Sequence, residues 1–172
     1  MQIHVKFFFL IFLTTLFTLP TSCKTVEKET TTYYLIRHAE KDRSDASNRN
    51  PDLTEAGHER ALRWANYFDG FDLDAIYATD YNRTQQTAAP TAQMKALDVQ
   101  TYDPRNLYDA EFKSATSNKI VLIVGHSNTT PAFINAIVGV QTYEDMADND
   151  NSTLFKVVIA EDATTVEILK VD

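Results

Sequence analysis

The sequence predicts an α/β fold: a three-layer α/β/α sandwich on a mostly parallel central sheet. Three observations carry that expectation. Short apolar runs alternate with stretches of helical spacing through most of the chain, the order from which parallel sheets with covering helices are built. One run, Ile120–Val124, is apolar at every position, as in a strand covered on both faces. The length, 172 residues, supplies one sizeable core and not two.

The elements follow in order. Tyr33-Tyr34-Leu35-Ile36 is apolar and bounded by polar residues, a buried strand. Lys41–Pro51, rich in Asp, Ser, Asn and Arg, reads as a loop. Thr54 is a suitable N-cap for a helix to about Phe68, with Ala61, Leu62, Ala65 and Phe68 at helical spacing. Ala75–Ala78 is a short strand. Asn82–Met94 is expected to be helical, kinked or ended by Pro90. Val99–Tyr102 is a weak strand, and Thr101–Asn118 is expected to be loop. After Ile120–Val124, Pro131 suits the first turn of a helix through Val138. Asp145–Ser152 is an acidic loop. Leu154–Ile159 and Thr164–Val171 close the chain as strands, a hairpin around Glu161-Asp162.

The N-terminus is set apart from this fold. Lys6 precedes Phe7–Leu19, an unbroken run of Phe, Leu, Ile and Thr with the length of a signal-peptide apolar region rather than a membrane span. Pro20-Thr21-Ser22-Cys23 follows, and Cys23 is the only cysteine, so no internal disulfide can form. A lone cysteine after small residues that close an apolar signal resembles the cleavage and acylation site of bacterial lipoproteins, although Pro20 stands where such sites prefer an aliphatic residue. Ordinary signal-peptidase cleavage nearby is the alternative. The expected organisation is a lipoprotein-type signal peptide (1–22), a polar tether (23–32) and one domain (33–172). Acyl chains on Cys23 would hold the exported protein at a membrane facing the periplasm or the cell exterior.

The formal net charge is −8, with no basic run, so a nucleic-acid partner is not expected. An anionic substrate is not drawn in by the overall field either, so its site must concentrate positive charge locally. In sheets of this kind, ligands bind off the carboxyl ends of the strands. The first buried strand runs into Arg37-His38-Ala39-Glu40 and the strongest into Gly125-His126-Ser127-Asn128. Of four histidines, His4 lies in the signal and His58 mid-helix, which leaves His38 and His126 at strand ends. Arg83 stands in the first turn of a helix, where an anion would offset its clash with the helix dipole. Arg37, His38, Arg83 and His126 can thus form one positive pocket. A neutral imidazole in a fixed tautomer is a competent nucleophile, and two guanidiniums with a second imidazole would neutralise a phosphoryl group in transfer. That chemistry requires no metal or other cofactor. Ser127 lacks the Gly-x-Ser-x-Gly elbow of a serine nucleophile, and the histidines lack metalloprotease spacing.

Four stretches then resemble the histidine phosphatase superfamily, the phosphoglycerate-mutase-like proteins: Tyr34–Glu40, Leu53–Gly57, Ala78–Ala88 with Arg83, Thr84, Thr87 and Ala88, and Val124–Asn128. All four occur in the family's order. The resemblance implies that His38 is the phosphorylated nucleophile and that Arg37, Arg83 and His126 bind the phosphate. It implies an acidic proton donor after the second arginine segment, which falls on Asp109, with Glu111 beside it as alternative; some small members lack this acid. Glu40, Lys41, Ser127 and Asn128 are expected at the site rim. Glu40 can also be an ordinary loop carboxylate, and Lys41, where many members carry threonine, can instead face water. The expected activity is hydrolysis of a phosphorylated small molecule or phosphoprotein through phosphohistidine. The alternatives are a phosphohistidine phosphatase of the small bacterial kind, or a lipoprotein that binds phosphorylated ligands without turnover. Phosphoglycerate mutase itself is disfavoured, because an exported protein lacks its substrate and the chain has no room for the longer capping insertion.

Overall fold

The computed structural model describes residues 1–2, 29–161 and 163–172. The expected signal run Phe7–Leu19 and Cys23 lie outside the described residues, as does Asp162 of the closing turn. The elements run β1 (Thr31–Arg37), α1 (Glu55–Phe68), β2 (Ala75–Ala78), α2 (Asn82–Lys95), β3 (Val99–Thr101), α3 (Ala110–Ala115), β4 (Ile120–Gly125), α4 (Thr129–Val138), β5 (Thr153–Ala160) and β6 (Ala163–Lys170). The strands form one sheet in the order β3-β2-β4-β1-β5-β6. The first four are mutually parallel, and the β5–β6 hairpin joins β1 antiparallel.

Strand alternation divides the core between the two faces of the sheet. On one face Tyr33, Leu35, Tyr77, Val121 and Ile123 pack with Phe112 of α3 and Phe133 and Ile134 of α4. On the other Tyr34, Ile36, Ile76, Leu122 and Val124 pack with Trp64 and Phe68 of α1 and Ala88 and Ala92 of α2. The three-layer α/β/α architecture follows from this two-sided burial.

Three expectations are corrected. Thr31 and Thr32, assigned to the tether, belong to β1: they pair with Ile159 and Val158 of β5, and their branched side chains suit a strand. Pro90 does not end α2, which continues to Lys95. Burial of Ala88 and Ala92 on either side of it holds the helix against the sheet. The segment Thr101–Asn118 is not all loop, because α3 forms in it. Asp109 caps that helix by accepting the Phe112 N–H at 2.7 Å, and Phe112 buries against the core. Gly57, a weak helix former, is required by close approach: a Cβ there would lie 2.2 Å from the Glu40 carbonyl oxygen. The first turn of α1 therefore packs directly on the segment that follows β1.

Candidate active site

The chain leaves β1 for α1 on one face of the sheet and leaves β4 for α4 on the other. β1 and β4 are neighbours, so their carboxyl ends flank the point where the winding reverses, where open α/β sheets bind ligands. The register pairs Arg37 with Gly125. His38 and His126 each stand one residue beyond that rung, and the His38 N–H donates to the Gly125 carbonyl at 2.9 Å. Their ring centroids are 5.4 Å apart. Gly125 is required here by crowding, since a Cβ would meet Thr130 Oγ1 at 2.8 Å and the Tyr102 hydroxyl at 2.9 Å.

His38 is buried, and its Nδ1 lies 2.7 Å from the Ala39 carbonyl oxygen. A carbonyl only accepts, so Nδ1 carries the hydrogen and Nε2 keeps its lone pair. Burial pushes the imidazole down to about 3, with Arg37, His126 and Arg83 adding to the depression against the Ala39 bond. The ring is neutral wherever the protein is folded near neutral pH. Two bonds fix its backbone: Asn151 Nδ2 donates to the His38 carbonyl at 2.8 Å, and the Ala39 N–H donates to Thr87 Oγ1 at 2.9 Å. Thr87 in turn donates to the Arg83 carbonyl at 2.7 Å, which ties the nucleophile's turn to α2.

His126 Nε2 contacts Thr79 Oγ1 at 2.9 Å, and Thr79 Oγ1 contacts Thr84 Oγ1 at 2.9 Å. Thr84 donates to the carbonyls of Thr79 and Tyr81. The chain ends on acceptors, so each hydroxyl passes its hydrogen toward them and His126 Nε2 is the donor. Burial pushes His126 down to about 4, aided by Arg83, Arg37 and Lys41. Tyr81 stands edge-on to His126, 5.1 Å between rings, and carries the Arg83 guanidinium over its face at 4.4 Å. Arg83 Nε and Nη1 are buried and without a hydrogen-bond partner, so its charge is available to an anion.

Arg37 is 2% exposed. Its Nη1 donates to the Ala147 and Asp150 carbonyls at 3.0 and 3.3 Å, and its Nη2 to Asp148 Oδ1 at 2.8 Å. The 141–151 segment, expected only as an acidic loop, thus folds over the site and is pinned by the Met146 N–H on the Ser127 carbonyl at 2.9 Å. A cavity of about 400 Å³ lies here, lined by Arg37, His38, Lys41, Tyr81, Arg83, Pro104, Arg105, His126, Ser127, Asn128, Thr129 and Asp148. Four of these are cations, so the cavity is strongly positive within an acidic protein. The first turn of α4 adds its positive dipole end through Thr129.

The structure brings together Arg37, His38, Arg83 and His126, with Lys41, Ser127 and Asn128 at the rim. Lys41 lines the cavity rather than only facing water, and burial together with Arg83 and Arg43 lowers its ammonium. Glu40 lines an adjoining cavity with His38 and Lys41, but its Oε1 is held by Arg60 Nε at 2.7 Å. Asp109 is not among the cavity's residues. Its carboxylate caps α3, accepts from Asn106 Nδ2, and lines a separate cavity with Glu111, Tyr77 and Phe112. The expected donor is thereby engaged elsewhere, and its alternative Glu111 also lies away from the His38 cavity. Sequence reading missed Thr79, Tyr81, Asn151 and Asp148. Tyr81 and Thr79 lie close to Arg83 in sequence, a signal that proximity offered, whereas Asp148 and Asn151 reach the site only through tertiary folding. Among the described residues, no three His, Cys, Asp or Glu side chains gather as a metal ion would need.

Residues 33–104 match the family model described as histidine phosphatase superfamily (branch 1). No curated protein matches the chain in sequence. The fold is similar to that of the protein histidine phosphatase SixA complexed with tungstate, at 16% identity and a TM-score of 0.63 over 81% of this chain and 96% of that one. It is similar to the mycobacterial glucosyl-3-phosphoglycerate phosphatase complexed with VO3, at 12% identity and a TM-score of 0.64 over 83% and 100%. It is also similar to phosphoglycerate mutase from Bacillus anthracis strain Sterne, at 14% identity and a TM-score of 0.63 over 83% and 93%. At such identities the likeness is one of fold. The matched stretch carries Arg37, His38 and Arg83, and over those residues the chain is similar to the histidine phosphatase superfamily.

Proposed function

We propose that this protein hydrolyses phosphomonoesters in two steps through a phosphohistidine on His38. The observation that carries the reading is the His38 ring: buried, neutral, its Nδ1–H fixed on the Ala39 carbonyl and its Nε2 lone pair free, within a cavity that also holds Arg37, Arg83 and His126. A nucleophile held in one tautomer loses no activity to the wrong one. The buried, unpaired nitrogens of Arg83 would be satisfied by equatorial phosphoryl oxygens. Desolvated cations of this kind supply most of the barrier reduction in phosphoryl transfer.

A phosphoprotein, including phosphohistidine, is the second reading for the substrate. It is favoured by the segment between β3 and β4, which holds only the six-residue α3 and builds no tall cap over the cavity. Export and a lipid on Cys23 complete the proposal; their support is the apolar run Phe7–Leu19 and the lone cysteine after it.

The test is a phosphatase screen over metabolite and phosphopeptide panels with His38→Ala as control. The variant should lose turnover of an aryl phosphate by on the order of 10⁴-fold or more, and acid quenching of the wild type should trap label on His38. Full activity in His38→Ala would remove the mechanism. Phosphate binding without turnover in the wild type would favour the non-catalytic alternative.

A further inference from the structure

With Asp109 engaged at α3, the reaction proposed above lacks a proton donor for its leaving oxygen. Three carboxylates near the site are held by other residues. Glu40 is held by Arg60, Asp103 by Arg105, and Asp150 by Lys170 and Thr153. Of the two cavities that His38 lines, Asp148 lines both, whereas Glu40 lines only the smaller. Its Oδ1 lies 2.8 Å from Arg37 Nη2, and its Oδ2 lies 2.8 Å from Arg43 Nη2. Its backbone is fixed on either side, because Ala147 and Asp150 offer their carbonyls to the buried Arg37 guanidinium. The side chain lines the cavity and is 70% exposed, so it is in reach of both a bound ester and water.

We infer that Asp148 is the acid that protonates the leaving oxygen and the base that activates water in the second step. The inference rests on the phosphatase reading. In the first step His38 Nε2 forms the N–P bond with its lone pair. The P–O bond to the leaving group breaks, its electron pair stays on oxygen, and that oxygen takes the Asp148 proton. In the second step a water oxygen bonds to phosphorus, and the N–P pair returns to Nε2. The Asp148 carboxylate takes the water proton, which regenerates the enzyme and gives orthophosphate.

Arg43 first, and then Arg37, hold the Asp148 carboxyl below the usual carboxylate range. A phosphoryl dianion on Arg37 competes for the same guanidinium. It ends that half of the clamp and sets negative charge beside the carboxyl, which favours uptake of a proton as substrate binds. Arg43 and Lys41 remain as the cations facing it.

Leaving-group dependence separates this role from simple orientation of Arg37. Wild type, Asp148→Asn and Asp148→Glu would be assayed with p-nitrophenyl phosphate and with phenyl phosphate, whose leaving oxygen needs its proton far more. The expected losses for Asp148→Asn are about 10-fold or less with the nitrophenyl ester and about 10²-fold or more with the phenyl ester. Asp148→Glu should recover part of the latter. Equal losses with both esters would assign Asp148 to positioning Arg37, and no loss with either would exclude any role; both outcomes overturn the proposal. Circular dichroism of Asp148→Asn, an exposed substitution, confirms the fold. Failure of the phosphatase reading itself appears differently, as a wild type inert toward both esters or a His38→Ala variant as active as wild type.

Discussion

A histidine that must attack phosphorus has to be uncharged and aimed, and His38 receives both conditions from its immediate surroundings. Burial and the neighbouring cations lower its basicity, while the Ala39 carbonyl chooses which nitrogen keeps the hydrogen. A histidine NMR titration should therefore show His38 still neutral at pH 5, with a midpoint near 3, and a proton on Nδ1 throughout. A midpoint close to the ordinary 6.5 would mean that the ring is solvated and the site more open than described. The sequence revealed the identities of these groups but not their states. Arg37-His38 at a strand end and His126 after Gly125 could be read from local order alone. The hydrogen-bond chain from His126 through Thr79 to Thr84 depends on how β2 and β4 lie together, which no local pattern encodes.

At the scale of elements, Asp109 shows how one residue type serves two ends. It was expected to be an acid because it follows the second arginine segment, yet its carboxylate accepts the Phe112 N–H and starts α3. Replacing it with alanine should cost about 1 kcal/mol of stability, the usual value of an N-cap. Turnover per folded molecule should stay unchanged. Urea denaturation beside a steady-state assay checks both, and a large fall in kcat with unchanged stability would restore its catalytic assignment. Most other elements were legible because their patterns were strong. Ile120–Val124 could hardly be anything but a central strand, and Thr54 marked the start of α1 to the residue. α3 was hidden because six residues offer too few periodic positions, and its single buried side chain, Phe112, gives no repeat. Pro90 stays inside α2, which runs to Lys95, one residue past the expected Met94, with Ala88 and Ala92 packed against the sheet on either side of it.

For the whole molecule, the two depressed imidazoles link stability to pH. Unfolded, each titrates near 6.5; folded, His38 and His126 titrate at about 3 and about 4. Between 6.5 and about 4 the unfolded chain binds up to two more protons, so stability falls as pH falls. The slope is about 1.4 kcal/mol per histidine for each pH unit, and it vanishes below the folded values. The perturbed carboxylates among the described residues, Asp42, Asp45, Asp103, Asp148 and Asp150, lie below the ordinary 3.8, so they stay ionised at pH 5 and do not mask the effect. The midpoint of thermal unfolding should drop between pH 7 and 5, and drop less in a His38→Gln variant; no drop in the wild type would contradict the burial of these rings. The rung that pairs Arg37 with Gly125 has a different consequence, for how such a chain can diversify. Lengthening either strand by a single residue upstream of that rung would swing one imidazole to the opposite side of the sheet, and no neighbouring adjustment could undo it. Extra residues in the surface connections leave the rung untouched. Novelty can therefore accumulate around the rim while the two inner ladders keep their count.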